Sequence, residues 1–480
     1  MANERPNILF IMTDQQRGDC LGLDGHPVLN TPNLDYLAHS GTLFRHGYSE
    51  TPSCIPARRT VMSGQAPATH GMVGMTGGVD WQPAATLAGE LSAAGYQCEM
   101  IGKLHLWPNR KRFGFHHMLL ADSTRGKVND YLDWLGGAVP IERWAMAHGV
   151  SPNGWQARPN HLPEEQTHTF WCISQAIEFL SKRDPTVPYF LNVSFIDPHP
   201  PFTPPQFYYD RYAGRDLGQP AIGDWAPQFP APQKGFDPEG RMPRRQQLRL
   251  DDDTMHYCRA GYFGLINHVD TQIGRLLMYL RDEKLLEETF ILFTSDHGEM
   301  LGDHNMFAKT RPFESSARVP FLARAPMNMS YPRGIVTDRP VGLQDVMPTL
   351  LDAAGLPIPQ SVTGRSVLPL MRGEDVAWRA ALHGEHAGQY DPDDANHYLV
   401  DGHTKYVWHD QTGEELLFDL DRDPLEQHNL LHEDGAEARV GPWRQRLIEQ
   451  LRDRPEGFTD GQRLIAGQPR PFLVPGVPQL

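Results

Sequence analysis

Three unbroken apolar stretches of this chain each stop at an acid or a histidine, and that coincidence restricts the fold more than any other feature. Asn7-Ile-Leu-Phe-Ile-Met-Thr-Asp14, the run from Tyr189 to Ile196 followed by Asp197-Pro-His199, and the run from Thr289 to Ser295 followed by Asp296-His297 all lack polar alternation. Such runs suit strands covered on both faces, as in parallel sheets. Helix-compatible segments lie between them: residues 32–40 after Thr31 and before Gly41, 83–94 before Gly95, 164–182, 253–286, and 343–354 before Gly355. Further strands are expected at residues 96–101 and around Phe321. The alternation predicts a layered α/β domain around a mixed, mostly parallel sheet flanked by helices.

Open sheets of this kind place ligands beyond the carboxyl ends of their strands, where Asp14, Gln15, His199, Asp296 and His297 would gather. Two strands ending in carboxylates at one rim form the arrangement a divalent cation requires. Prolines on both sides of His199 hold its imidazole in a non-helical loop. Lys103 and His105, two apart in an extended Gly-Lys-Leu-His segment, point the same way; an exposed basic loop is the alternative reading.

The stretch Thr51-Pro-Ser-Cys-Ile-Pro-Ala-Arg-Arg-Thr60 presents an exposed-looking cysteine between two prolines. Pro56 suits the first turn of a helix, which places Cys54 near a positive helix end with Arg58 one turn on. A thiol there is expected to be polar and reactive.

The net charge of -15 argues against nucleic acid or an anionic membrane as partner, so an anionic substrate must be drawn in by local positive charge. No run approaches the ~20 apolar residues of a membrane span, and five consecutive apolar residues before Thr13 are too few for a secretion-signal core. Cysteines at 20, 54, 98, 172 and 258 follow no disulfide or zinc spacing. A cytoplasmic, reducing location is the expectation.

From about Pro357 the pattern changes to short strands at residues 398–400, 405–408 and 415–418, with helical spacing over 440–452. Three units are predicted: a catalytic α/β domain at 1–370, a small α+β subdomain with antiparallel strands at 371–456, and a Pro/Gly-rich tail at 457–480. The tail reads as disordered, or as an arm that builds a homo-oligomer. Residues 206–249 read as an irregular, proline-rich excursion, and 127–135 as helical.

Taken together, Pro6-Asn-Ile-Leu-Phe-Ile-Met-Thr-Asp14, Thr31-Pro-Asn-Leu-Asp35, Cys54-Ile-Pro-Ala-Arg58, Gly102-Lys-Leu-His105, Pro198-His-Pro-Pro-Phe202, Thr294-Ser-Asp-His-Gly298, Arg318-Val-Pro-Phe321 and the segment Glu415 to Leu430 resemble, in order, the motifs of the type I sulfatases. These are formylglycine-dependent members of the alkaline-phosphatase-like superfamily. The resemblance implies that a formylglycine-generating system oxidises Cys54 to an aldehyde whose hydrate attacks a small anionic sulfate ester. It also implies one divalent cation held by Asp14, Gln15, Asp296 and His297. Arg58 would support the nucleophile, Lys103 and Lys309 would bind substrate oxygens, His105 would contact the formylglycine, and His199 would serve the leaving oxygen.

Gln15 stands where the commonest pattern has a second acid, and His297 where it often has Asn. Calcium is the first expectation for the metal, with manganese favoured by an imidazole ligand. Sulfate monoester hydrolysis is the expected activity; phosphonate monoester or phosphodiester hydrolysis, and an inactive metal-binding scaffold, are the alternatives. Trp107, Arg110, His116, Glu385, His386, Tyr390 and His397 are candidates for an outer substrate pocket on chain position alone.

Overall fold

The computed structural model describes residues 5–122, 129–136, 149–233 and 246–479. Its main sheet has eight strands, in spatial order His117–Leu120, Gln97–Gly102, Tyr189–Pro198, Asn7–Asp14, Thr289–Ser295, Phe321–Arg324, Thr42–Phe44 and Ile335–Thr337. The first five are parallel. Phe321–Arg324 runs antiparallel to both its neighbours, so the sheet is mixed as well as mostly parallel.

Every residue of the central strand Asn7–Asp14 is buried. The pleat sends Ile8, Phe10 and Met12 into one core and Leu9 and Ile11 into another, which is why the strand needs no polar face. Helices Cys54–Ser63, Leu87–Ala93 and Val346–Ala353 cover the first core. Helices Pro32–His39, His168–Lys182 and Asp252–Asp282 cover the second. Asp251 caps the longest of these by accepting from the Thr254 N–H at 2.9 Å, and Asp252 and Asp253 oppose the positive end of the helix dipole.

Boundaries differ from the sequence expectation where local hydrogen bonding decides. The helix expected from residue 83 starts only at Leu87, because the Thr86 hydroxyl caps it by accepting from the Gly89 N–H at 3.1 Å. The strand expected to stop at Ile196 runs on to Pro198, which pairs with Asp14 after an irregularity in register. That extension brings His199 alongside the acid that ends the central strand. Within the stretch expected to be irregular, Gln206–Ala213 is a helix with Tyr208 and Tyr212 buried, since Pro205 supplies the fixed backbone angle of a helix entry. Residues 234–245 of that stretch, and Lys127 at the start of the other expected helix, lie outside the described residues.

The C-terminal subdomain is an antiparallel meander of Leu382–His386, Asn396–Val400, Thr404–His409 and Glu415–Asp419. Helix Ala436–Leu451 packs Leu447 and Leu451 with Trp408 on one side of it. The first strand, Leu-His-Gly-Glu-His, has no apolar pattern because ion pairing, rather than apolar contact, satisfies its buried Glu385. The tail is an ordered segment on the chain's own surface. Val474 donates to the Gly71 carbonyl and Val73 to that of Phe472, each at 2.9 Å, and Arg470 reaches Glu385 at 2.8 Å. Among the described residues, no helix is long and apolar enough to cross a membrane.

Burial holds seven histidines outside the active site neutral far into the acid range: His70, His168 and His386 are pushed down to about 3, and His26, His304, His383 and His409 to about 4. Unfolded, these imidazoles bind protons below about pH 6.5. Unfolding therefore takes up protons, and stability falls as pH drops from about 6.5 toward 4, by about 1.4 kcal/mol per pH unit for each net proton. Glu50, Asp270 and Glu426, pushed up to about 7 by burial, act in the opposite sense and offset part of this loss, as do Glu99, Asp197 and Asp410, which burial also raises. The denaturation midpoint in urea is expected to fall between pH 7 and pH 5; a flat or rising midpoint would contradict the dominance of the buried histidines.

Candidate active site

Four strand ends deliver the site to one rim of the sheet. Asp14 closes the central strand, Lys103 follows Gly102, His199 follows Pro198, and Asp296 and His297 follow Ser295. The opposite wall is the amino end of helix Cys54–Ser63, with Ser53 as its N-cap. Pro56 sits in the first turn, where its missing N–H breaks no helical bond.

Cys54 is only 1% exposed, so the sequence expectation of an exposed thiol is corrected. Its surroundings are polar, not hydrocarbon. Sγ lies 3.1 Å from Lys309 Nζ, 3.3 Å from His297 Nε2, 3.8 Å from Asp14 Oδ1 and 4.0 Å from Lys103 Nζ. Burial and Asp14 push the thiol up, but Lys103, Lys309 and His297 outweigh them and hold it well below the ordinary thiol range. Position 54 is therefore built for an electron-rich atom.

Arg58, one turn along, organises the carboxylates. Its Nε donates to Asp296 Oδ2 at 2.9 Å, one terminal nitrogen reaches Asp14 Oδ2 at 3.5 Å, and the other bonds the Ser194 hydroxyl at 2.9 Å and the Lys103 carbonyl. Lys103 Nζ pairs directly with Asp14. Burial alone would raise Asp14, yet Lys103, His199, Lys309 and Arg58 hold it well below the usual carboxylate range. Burial and the neighbouring Asp14 raise Asp296.

The donor set fits a divalent cation. His297 donates its Nδ1–H to the Gly298 carbonyl at 2.9 Å, which turns Nε2 toward Asp14 Oδ1 at 3.6 Å and Asp296 Oδ1 at 3.5 Å. Two carboxylate oxygens and an imidazole nitrogen facing one another inside the protein call for positive charge between them, which a proton on Nε2 or a bound cation can supply; although burial opposes it, Asp296 and Cys54 raise this imidazole. One ligand atom each from Asp14, Cys54, Asp296 and His297 lies within 4.8 Å of the others. Calcium–oxygen bonds of ~2.3–2.6 Å allow ligands up to ~5 Å apart. Gln15 borders this nest: its side-chain oxygen accepts from Lys309 Nζ at 2.9 Å, and its backbone N–H donates to Asp296 Oδ1 at 3.1 Å.

Two more imidazoles reach the rim. Burial and Lys309 push His199 down to about 3, and its Nδ1–H is committed to the Pro200 carbonyl at 2.8 Å, leaving Nε2 as its free nitrogen. His105 is anchored through its backbone N–H to Asp122 at 2.9 Å, while its buried Nδ1 has no hydrogen-bond partner among the described residues.

The outer-pocket candidates scatter. Tyr390 stands in electrostatic reach of Lys309 and Cys54 and shares a hydrogen bond with Gln246. His386 lies behind Cys54, its Nε2 3.0 Å from the hydroxyl of the adjacent Ser53. Glu385 and His397 belong to a buried ion cluster with Arg454, Arg470 and Asp410, because a charged strand entering the interior must be paired there. Arg110 is turned to Asp130 at 2.6 Å, Trp107 is 38% exposed, and His116 accepts from the Cys98 N–H toward the amino end of its strand, away from the rim. Ser194, Asp122 and Glu299 also serve the site and answer to no local sequence pattern, although Glu299 directly follows the Asp-His-Gly motif.

A cysteine ringed by cations, beside carboxylates and an imidazole that could hold a divalent cation at the carboxyl rim of a mostly parallel sheet, suits the hydrolysis of esters of tetrahedral oxyanions. The chain belongs to the sulfatase family: residues 6–356 match Sulfatase, and residues 302–453 match N-sulphoglucosamine sulphohydrolase, C-terminal. It is 40% identical to an arylsulfatase of Clostridium perfringens, across 97% of this chain and 98% of that one. It is 29% identical to a choline-sulfatase of Rhizobium meliloti, across 94% and 86%. The crystal structure of a phosphonate monoester hydrolase of Agrobacterium radiobacter superposes with a TM-score of 0.74 at 26% identity, covering 93% of this chain and 95% of that chain. The protein is a sulfuric ester hydrolase.

Proposed function

We propose that this enzyme hydrolyses small sulfate monoesters, aryl esters among them, using a formylglycine made from Cys54 and one divalent cation at Asp14, Gln15, Asp296 and His297. The observation that carries the reading is the placement of Cys54 Sγ 3.1 Å from Lys309 and 3.3 Å from His297 in an otherwise closed polar nest. Converted residue 54 supplies two hydroxyls on one carbon once hydrated, one to attack sulfur and one to release the product. The cation supplies charge that acidifies the attacking hydroxyl and offsets the sulfate oxygens. Calcium fits the carboxylates, and the imidazole widens the choice to manganese.

The chain's own groups divide the remaining work. Lys103 and Lys309 meet the sulfuryl oxygens, where charge builds in the transition state. Arg58 keeps both carboxylates in place. His199, whose Nδ1–H is tied to the Pro200 carbonyl, has Nε2 available to carry a proton to the leaving oxygen. An incoming anionic ester opposes the effect of Lys309 and favours protonation of this imidazole. His105, with a buried ring nitrogen unpaired, is suited to take the proton from the second hydroxyl.

Phosphonate monoester or phosphodiester hydrolysis is the second reading, favoured by the structural likeness to a phosphonate monoester hydrolase. Rates on p-nitrophenyl sulfate and p-nitrophenyl phenylphosphonate separate the two. The expected result is a higher kcat/KM on the sulfate; a higher value on the phosphonate would overturn the primary reading. A formylglycine-generating system is a required partner, and a cytoplasmic setting is supported by five cysteines that are all free and buried.

A further inference from the structure

We infer that Glu299 is a positioning residue that fixes the side-chain amide of Gln15, so that its oxygen and not its nitrogen faces Lys309 and the pocket of residue 54. The inference rests on the proposed cation site and adds a determinant behind it. An ionised carboxylate only accepts hydrogen bonds, an ammonium only donates, and a primary amide does one at each end. Glu299 Oε1 is taken by two backbone donors, Leu301 N–H at 3.0 Å and Ala308 N–H at 2.5 Å. Oε2 is left to face the Gln15 Nε2 amide. At the other end, Gln15 Oε1 accepts from Lys309 Nζ at 2.9 Å.

Turning the amide over would set its oxygen against the carboxylate and its NH2 group against the ammonium. Gln15 and Glu299 are each only 1% exposed, so water cannot compensate either mismatch. The chain Glu299–Gln15–Lys309 therefore has a single sense. The loop that contributes Asp296 and His297 also contributes the residue that aims the third oxygen donor, Gln15, which ties cation affinity to a side chain outside the ligand set.

Four metal-free proteins test this: wild type, Glu299→Gln, Gln15→Glu and the double variant, each titrated calorimetrically with Mn2+ and with Ca2+. In Glu299→Gln the backbone donors of Leu301 and Ala308 still demand an oxygen. The new NH2 group must therefore face Gln15 and force its amide to turn. Cation affinity is expected to fall roughly tenfold to a hundredfold, measured under conditions where the metal-free variant is still fully folded. Gln15→Glu alone sets two carboxylates face to face. Adding Glu299→Gln restores a donor opposite an acceptor, so the double variant is expected to recover wild-type affinity.

Wild-type binding by Glu299→Gln, or a double variant weaker than Gln15→Glu alone, would overturn the inference. Should Glu299→Gln not fold, the comparison of Gln15→Glu with the double variant still decides. Cation binding without sulfatase activity in the wild type would count against the proposed function and leave this inference standing, whereas no cation binding by the wild type would overturn both.

Discussion

Replacing Cys54 with alanine is expected to abolish steady-state sulfate release, with a loss on the order of 10^4 to 10^6 in kcat, the range seen when a nucleophile is removed from an otherwise intact site. The geometry leaves no substitute: no other described cysteine is part of the site's ligand-bearing group, which joins Cys54 to Asp14, Asp296 and His297. Cys54→Ser is the sharper variant. Its single hydroxyl is placed to accept the sulfuryl group, but it has no second hydroxyl on the same carbon to collapse and expel it. One turnover followed by a stalled covalent sulfate ester is expected, read as a burst of alcohol product and a sulfated active-site peptide. Sustained turnover by either variant would remove residue 54 from the chemistry.

Glu385→Ala is expected to act on stability and not on chemistry. The Glu385 side chain is 1% exposed and bonds Arg454 at 2.7 Å and Arg470 at 2.8 Å, whose side chains are themselves only 9% and 4% exposed. Arg454 and Arg470 outweigh the cost of burial and hold its carboxyl well below the usual range. Deleting it leaves two guanidinium groups inside the protein with Glu456 and Asp410 as their remaining acids. Breaking a buried pair of this kind costs about 3–5 kcal/mol. The denaturation midpoint should drop sharply and the 457–479 segment, which Arg470 anchors, should become protease-sensitive, while kcat/KM per folded molecule is retained. An unchanged midpoint with a raised KM would return Glu385 to the substrate pocket.

The parts of the fold legible in the sequence were those whose residues answer to one local rule. Strands Asn7–Asp14 and Thr289–Ser295 declared themselves because dry packing on both faces forbids polar residues between their ends. Strand Leu382–His386 did not, because its buried members are charged and their partners, Arg454 and Arg470, lie some seventy or more residues away. Cys54 was singled out by its prolines and Arg58, but its burial depends on His297 and Lys309, which arrive from the far side of the chain. The same distance hid Glu299: its role depends on facing Gln15 across the sheet rim, and nothing in the local sequence encodes that contact. Outer-pocket residues were least legible, since a loop's position in the chain does not say which way its side chains turn.

Peptide mass spectrometry across residue 54, on the same preparation assayed for aryl sulfate hydrolysis, tests the central claim most directly. Conversion replaces the sulfur by oxygen and removes two hydrogens, and activity is predicted to rise in proportion to the converted fraction. Full activity from protein whose Cys54 is entirely an unmodified thiol would contradict the account.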